Sequence, residues 1–131
     1  MYSDPKWCVA LGNILQDPNS KLVELNISDN SIYDEEATVL GNALAKNKAL
    51  KKLSLQNNHD ITATGWVAFS VFLSNPNSSL EELNLRENCF DDEAASVLGN
   101  ALANNTRLKN LDLSCTGFQP TTPAGWLAFT T

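Results

Sequence analysis

The sequence predicts an α/β solenoid arc with parallel strands on its concave face and helices on its convex face, and three observations lead to this fold class. A pattern of LxxLxLxxN type starts at residues 22, 50, 80 and 108. The middle of each copy alternates apolar and polar residues, the period of a strand with one buried face. A stretch of helical periodicity follows the first three copies. Repetition of one strand, turn and helix unit is typical of a solenoid.

Each copy of the pattern opens with a short predicted strand. The copies are Leu22–Asn30, Leu50–Asn58, Leu80–Asn88 and Leu108–Thr116, starting 28, 30 and 28 residues apart. An apolar residue follows each copy, namely Ile32, Ile61, Phe90 and Phe118. The second copy has an extra residue at His59-Asp60, so we expect its loop to bulge. The fourth copy ends on Thr116 in place of asparagine.

Two helix types alternate between the strands. Asp34–Ala45 recurs as Asp92–Ala103 and is rich in Leu and Ala, whereas Ala63–Ser70 recurs as Pro123–Thr130 and is rich in Trp and Phe. Lys6–Leu15 ends in Asp-Pro-Asn-Ser, much as the Trp66 segment ends in Asn-Pro-Asn-Ser, so we expect a further helix of the Trp type. Asp34 and Asp92 are predicted to be N-caps. The expected total is four strands and about four to five helical segments.

The chain is expected to form one repeat array over residues 1–131, with partial repeats at both ends. Each repeat buries its apolar face only against neighbours, so the array is expected to be a fragment of a longer one. We expect a monomer, with end-to-end association possible through apolar array ends.

Composition excludes several classes of function. Nine basic residues are scattered among fifteen acidic ones and the net charge is -6, which argues against nucleic-acid binding. No stretch reaches the roughly 18 to 20 apolar residues of a membrane span, and no signal peptide is recognisable. Cys8, Cys89 and Cys115 lie far apart and do not form a disulfide framework. We therefore expect a soluble cytoplasmic protein, with the nucleus as an alternative.

The pattern resembles leucine-rich repeats of the ribonuclease-inhibitor class, which also occur in NOD-like receptors and Ran GTPase-activating proteins. The four LxxLxLxxN cores and the helix motif Leu40-Gly41-Asn42-Ala43-Leu44, repeated from Leu98, carry this resemblance. It implies that the leucines fill the core and that Asn30, Asn58 and Asn88 form a ladder that satisfies backbone groups of the turns. It also implies that partners bind the side chains between the leucines on the concave face.

The resemblance predicts a protein–protein interaction scaffold without catalysis of its own and without a cofactor. The candidate partner-binding residues are Glu24, Asn26, Lys52, Ser54, Gln56, Glu82, Asn84, Arg86, Asn110 and Asp112. Acidic and basic residues alternate from one strand to the next, so we expect charges to pair across the sheet. Two alternatives remain: a fragment of a Ran GTPase-activating-protein-like regulator, for which Arg86 is the arginine on this face, and a sensor segment of a NOD-like receptor.

Other residues whose side chains could bind a ligand or take part in catalysis are better explained by a structural role. Trp7, Trp66 and Trp126, with Phe69 and Phe129, recur at matching helix positions and are expected to pack in the interior. His59 has no ligand or nucleophile partner at a suitable spacing and is expected to be a solvated loop residue. The acidic runs beginning at Asp34 and Asp91 suit helix starts better than a cation site. Cys89 is expected to be a buried thiol. No phosphate loop, GxSxG, HExxH or kinase-like motif occurs, so no catalytic or metal site is predicted.

Overall fold

Helices and strands alternate throughout the structure, a computed structural model that describes residues 6–114. The elements are α1 (Lys6–Gln16), β1 (Glu24–Asn26), α2 (Asp34–Lys46), β2 (Lys52–Ser54), α3 (Ala63–Ser74), β3 (Glu82–Asn84), α4 (Asp92–Ala103) and β4 (Asn110–Asp112). The strands form one parallel sheet in the order β1-β2-β3-β4. The predicted α/β solenoid is confirmed. The helix predicted around Trp126 lies outside the described residues, as do Cys115, Thr116 and Phe118.

Each strand is only three residues long, because the extended backbone is confined to the middle leucine of the repeat core and its two neighbours. Leu25, Leu53, Leu83 and Leu111 occupy the same register position in successive strands. Leu53 and Leu83 are buried and belong to one apolar cluster with Leu40 and other residues of the helices. The helices pack in chain order, each against the next, so every repeat completes the core of its neighbour.

Helices α2 and α3 approach each other closely at Gly41. A Cβ added at Gly41 would lie 2.9 Å from the backbone carbon of Ala68, whereas one added at Gly12 of α1 would meet its nearest neighbour, Val39, at 3.6 Å. Gly41 therefore allows a close approach of two helices that a larger residue would obstruct. The small residue of the repeated helix motif is thus a packing requirement at this position.

Aromatic residues of α3 fill the interior, as the sequence predicts. Trp66 is 1% exposed and its ring centroid lies 5.5 Å from that of Phe69 and 5.0 Å from that of Phe90. The buried indole Nε1 has no hydrogen-bond partner among the described residues. Burying roughly 150 to 250 Å² of aromatic surface contributes about 4 to 6 kcal/mol, more than the cost of about 1 to 3 kcal/mol for one unpaired N–H. Trp7 packs partly buried against the same core, and Trp126 and Phe129 lie outside the described residues.

The predicted N-caps were wrong by one residue. Asp34 and Asp92 are the first helical residues, and the caps are Tyr33 and Asp91. The Asp91 side chain accepts a hydrogen bond from the backbone N–H of Ala94 at 2.8 Å. Adjacent carboxylates both suit the positive end of a helix, so local sequence does not separate the cap from the first turn.

Asp34 instead connects two repeats. Its carboxylate accepts hydrogen bonds from the backbone N–H of Thr62 at 2.7 Å and of Gly65 at 3.2 Å, and from the Thr62 hydroxyl. These donors lie at the start of α3, where the first N–H groups of a helix have no intrahelical acceptor. A residue of one repeat thus caps the helix of the next.

The residue before the repeat asparagine has the same left-handed conformation in the first three repeats, and the first turn also has Ser31 at a φ of 47°. Asp29, Asn57 and Glu87 each precede the repeat asparagine and have φ values of 59°, 57° and 60°. This left-handed region is costly for residues with a Cβ, and it reverses the chain from strand to helix. In the second repeat, where the extra residue was expected to make the loop bulge, His59 and Asp60 form a further turn that closes with a 3.4 Å hydrogen bond from the Ile61 N–H to the Asn58 carbonyl.

Candidate protein-binding surface

An open trough of about 610 Å³ runs across the four strands on the side opposite the helices, so this sheet face is concave. Parallel pairing in register places equivalent side chains of successive repeats next to one another. The predicted residues Glu24, Asn26, Lys52, Ser54, Glu82, Asn84, Asn110 and Asp112 line the trough. Gln56 and Arg86 lie beyond the ends of β2 and β3, just outside it. The fold therefore brings together most of the candidate residues on one surface.

One row of this face carries alternating charges, which we call the charge ladder: Glu24, Lys52, Glu82 and Asn110. The Lys52 ammonium lies 3.5 Å from Glu24 and 3.3 Å from Glu82, and the Asn110 amide donates to Glu82 at 3.0 Å. The hydrogen bond to Glu82, the charge of Glu82 and then the charge of Glu24 raise the pKa of Lys52 above its ordinary value. Lys52 therefore stays protonated between two carboxylates.

A second row of charges lies nearer the starts of the strands. Glu81 lies 3.7 Å from the Lys51 ammonium and 3.6 Å from the Lys109 ammonium. The expected pairing of charges across neighbouring strands is confirmed. The sheet face consequently presents paired charges of both signs and no patch of one sign.

The row Asn26, Ser54, Asn84 and Asp112 is polar and is held by local hydrogen bonds. Asn26, Asn84 and Asp112 each accept a bond from the backbone N–H two residues later, at 3.0, 2.9 and 2.9 Å. The Ser114 hydroxyl, and then its N–H, lower the pKa of Asp112. These hydrogen bonds restrict the rotamers of the three side chains.

Arg86 and Gln56 lie beside this polar row. The Asn84 amide donates to the Gln56 side-chain oxygen at 3.1 Å, and the Arg86 Nε lies 3.4 Å from the Glu87 carboxylate. The Arg86 side chain remains 45% exposed. Its guanidinium is thus accessible at the margin of the trough and is paired with an adjacent residue rather than with another repeat.

The repeat asparagines Asn58 and Asn88 form a buried amide ladder beneath the turns. The Asn58 side-chain oxygen accepts from the N–H groups of Asn30 and Ile32, both at 3.2 Å, and its amide donates to Ile27 at 3.0 Å and Leu55 at 3.1 Å. Each asparagine thereby bonds backbone groups of its own and the preceding repeat.

Asn88 occupies the equivalent place one repeat later, but its oxygen accepts from one backbone N–H where that of Asn58 accepts from two. Its oxygen accepts from the Asn58 N–H at 3.0 Å, and its amide donates to Leu55 and Leu85, both at 2.9 Å. Asn30 differs, because it is exposed and its amide donates to the Ser28 carbonyl at 2.9 Å within the same turn. Of the three predicted ladder residues, two are therefore buried between repeats.

A second set of bridging asparagines, which the sequence reasoning missed, follows the helices. Asn47, Asn75 and Asn105 donate to the carbonyls of Leu15, Ala45 and Leu73 in the preceding helix region, at 3.0, 3.2 and 2.7 Å. Asn47 and Asn105 also accept from the N–H groups of Leu50 and Leu108, both at 2.7 Å. Asn47 and Asn105 lie three residues before the first leucine of the next core and Asn75 lies five residues before it, so an asparagine shortly before each core is the signal that reveals them.

Other candidate groups provide no reactive centre in the described part of the chain. His59 is exposed in its turn, as expected. Cys89 is exposed, so the expectation of a buried thiol was wrong: the interior position after the turn belongs to Phe90. Cys8 is buried, and burial, then Glu36 and Glu35, raise the pKa of its thiol. Residues 6–114 contain no group of three or more His, Cys, Asp or Glu side chains arranged to hold a metal ion. Across the same residues, no helix has the length and apolar character needed to cross a bilayer.

The repeats match a known sequence family. Residues 19–38, 46–70 and 77–99 match the family described as Leucine Rich repeat. The chain is 32% identical over 109 residues to "NACHT, LRR and PYD domains-containing protein 5" of Mus musculus, and 33% identical over 104 residues to "NACHT, LRR and PYD domains-containing protein 14" of the same species. It is 36% identical over 92 residues to "Protein NLRC5" of Ictalurus punctatus.

These similarities cover most of the chain but little of the relatives. The aligned segments span 83%, 79% and 70% of the chain, and 9%, 10% and 5% of the respective relatives. The similarity therefore concerns a repeat region within much longer proteins, of the NOD-like receptor type.

Solved structures support the fold at lower sequence identity. The tropomodulin C-terminal domain from Caenorhabditis elegans has a TM-score of 0.77 at 19% identity, covering 97% of this chain and 74% of that one. "Leiomodin-1 Actin-Binding Site 2 (ABS2)" has a TM-score of 0.74 at 18% identity, covering 98% of this chain and 72% of that one. At these identities the likeness concerns the arrangement of strands and helices.

Proposed function

The chain belongs to the leucine-rich repeat family, and from that premise we propose that its sheet face binds another protein and performs no chemistry itself. One observation carries the proposal: outward side chains of the four strands stand in register around an open trough. Fixed rows of half-exposed charged and amide groups offer directional hydrogen bonds at little further cost in side-chain entropy.

The sheet face alone is too small for a stable protein–protein interface. Its strands of three residues cover roughly 10 Å by roughly 15 Å, well below the roughly 800 Å² that each partner contributes to a stable interface. A partner seated in the trough therefore also contacts the turns on either side, including the margin where Arg86 lies. Asn84 and the charge ladder are the central contacts of this proposed interface, and Gln56 lies with Arg86 at its margin.

A pull-down with mass spectrometry tests the proposal. The wild-type protein is compared with a variant in which Lys52, Glu82, Arg86 and Asp112 are changed to alanine, a set that removes two charges of each sign. In a control variant, Glu35, Asn42, Lys46 and Asn100, which are exposed on the helices, are changed to alanine. Circular dichroism establishes first that all three proteins fold.

The expected result is a partner that the wild type and the helix-face control capture and the sheet-face variant loses. A partner lost only by the helix-face control would transfer the function to the convex side. Equal capture by all three proteins, or capture by none, would contradict binding through the sheet face.

A second candidate function follows from the relatives: a sensor segment within a NOD-like receptor. The names of two relatives include a NACHT and a PYD domain, and the aligned segment is about a tenth of each relative. Sequencing the full transcript tests this candidate. A nucleotide-binding domain in the same reading frame would support it, and a transcript that encodes repeats alone would contradict it.

The proposed site of action is the cytoplasm, with the chain acting as a monomer. Support comes from the two free cysteines among the described residues, one buried and one exposed, which suit a reducing compartment. Microscopy of the tagged full-length protein tests the location, and signal confined to the secretory pathway would contradict it.

A further inference from the structure

Charged side chains outside the strands are sorted by sign between two edges of the array. The strands are parallel and the helices return the chain, so strand starts and helix ends share one edge, the strand-start rim. Strand ends and helix starts share the other, the strand-end rim. The strand-start rim carries Lys21, Lys46, Lys48, Lys51, Arg107 and Lys109, with Asp17 and Glu81. The strand-end rim carries Asp29, Asp34, Asp60, Glu87, Asp91 and Asp92 and the first-turn glutamates of α2 and α4, with Lys6 and Arg86.

Local contacts leave much of this charge uncompensated. Asp29 accepts a hydrogen bond from the Asn57 amide, Asp34 bonds Thr62, and Asp91 bonds the Ala94 N–H, so all three have neutral donors. On the opposite rim Lys51 and Lys109 share one carboxylate, that of Glu81. Both rims therefore keep a net charge, negative at the strand ends and positive at the strand starts.

Helix dipoles account for part of the sorting but not for all of it. A helix end is equivalent to about half an elementary charge, positive at the start and negative at the end, which favours acids on one rim and bases on the other. Asp29, Asp60 and Glu87, however, lie in turns that follow strands, and Lys21 and Lys109 precede or begin strand regions. These residues flank the strands in the chain. Glu87 is paired with Arg86 and Lys109 with Glu81, and Asp29, Asp60 and Lys21 add charge that the helix dipoles do not explain. A field therefore runs across the sheet face, over a strand length of roughly 10 Å that is comparable to the Debye length.

We propose that the sheet face binds a bipolar protein segment that lies along the strands, with its acidic end over the strand-start rim and its basic end over the strand-end rim. This inference rests on the proposed function and names the partner class for the same face. The paired charges within the trough give no net preference for one sign, so the rims determine the orientation of the partner.

Two synthetic peptides of identical composition test the inference. The block peptide has glutamates at one end, a neutral centre and lysines at the other, and the control peptide alternates the same residues. Binding to the full chain is followed by ¹⁵N NMR titration at low salt, about 20 mM. The block peptide should bind about fivefold tighter than the control peptide, and the difference should shrink at about 300 mM salt.

Orientation is measured with a spin label at either end of the block peptide. A label at the lysine end should broaden the amide signals of Asp29, Asp60 and Glu87, and a label at the glutamate end those of Lys21, Lys51 and Lys109. The double variant K21E/K109E should weaken block-peptide binding severalfold. K46E introduces an acid on the same rim at the end of α2, away from the trough, and should weaken it less.

Three results would overturn the inference: equal affinity for both peptides, equal broadening of both rims by one label, or absence of block-peptide binding at low salt. The pull-down separates this failure from that of the proposed function. If the sheet-face variant loses a protein partner while the block peptide shows no preference, the sheet face binds a partner but the rims do not select its polarity.

Discussion

The buried amide ladder and the charge ladder run in the same direction across the repeats, but one lies beneath the turns and the other on the open face. Asn58 and Asn88 are each 1% exposed, whereas the Lys52 and Glu24 side chains are 52% and 68% exposed. An unpaired buried polar group costs about 1 to 3 kcal/mol, but an exposed group that loses its partner is hydrated again. The comparison separates side chains that hold repeats together from side chains that are available to a partner.

The largest expected effect is at the buried amide ladder. Asn58→Ala removes the acceptor of the Asn30 and Ile32 N–H groups and the donor to Ile27 and Leu55. We expect the free energy of unfolding to fall by about 3 kcal/mol or more, because several backbone groups lose their partners. Urea unfolding followed by circular dichroism measures the loss.

Asn30→Ala is the matched control, since Asn30 occupies the same repeat position but is exposed. We expect it to cost less than about 1 kcal/mol. Similar losses of unfolding free energy in Asn58→Ala and Asn30→Ala would contradict the claim that burial determines how much each asparagine stabilises the fold.

The next effect concerns packing between helices. Gly41→Ala places a methyl group 2.9 Å from the backbone of Ala68, so the two helices must move apart. We expect a loss of about 1 to 3 kcal/mol. Gly12→Ala should instead stabilise by about 0.5 to 1 kcal/mol, because its nearest neighbour is at 3.6 Å and alanine favours the helix. Thermal unfolding of both variants measures whether their stability changes in opposite directions. A change in the same direction would refute the close approach of the helices at Gly41.

A smaller loss is expected at the contact that joins two repeats through a helix start. Asp34→Ala removes the acceptor of the Thr62 N–H and one of the two acceptors of the Gly65 N–H, which also bonds the Thr62 carbonyl. We expect a cost of about 1 to 2 kcal/mol, typical of a lost cap. Hydrogen exchange should localise the effect: the first turn of α3 should exchange faster in the variant than in the wild type. Faster exchange confined to α2 would instead identify Asp34 as a residue of its own helix only.

The smallest effect on stability is expected in the charge ladder. Glu82→Gln should lower the pKa of Lys52 more than Glu24→Gln does, because the bond to Glu82 is the larger cause of the raised pKa. NMR titration of the Lys52 side chain measures both shifts. The order would be reversed if Glu24 were the dominant partner.

The raised pKa also predicts the direction of the pH dependence. The contribution of the Lys52 pair is complete below the ordinary lysine pKa and is lost as the pH rises through the higher pKa of the folded protein. The unfolding midpoint of Lys52→Met should remain close to that of the wild type at neutral pH, because exposed ion pairs contribute little. A large loss at neutral pH would place the charge ladder among the structural contacts.

The sequence by itself determined the order of strands and helices. Leucine alternation, the residues before each helix and the repeat interval are local properties, and each depends on which face of a strand or helix becomes buried. The same interval predicted which side chains lie in register on the sheet face, because parallel repeats of nearly equal length align equivalent residues. The pairing of Lys52 with carboxylates on both sides follows from that alignment.

Only the tertiary structure decided the contacts between repeats. Asp34 caps the helix of the next repeat, Gly41 lies against Ala68, and Cys89 faces solvent while Phe90 enters the core. Each outcome depends on distances between residues about one repeat apart and on the direction of a single side chain. Local periodicity carries no information on such distances, since it records which residues become buried and not which neighbour they meet.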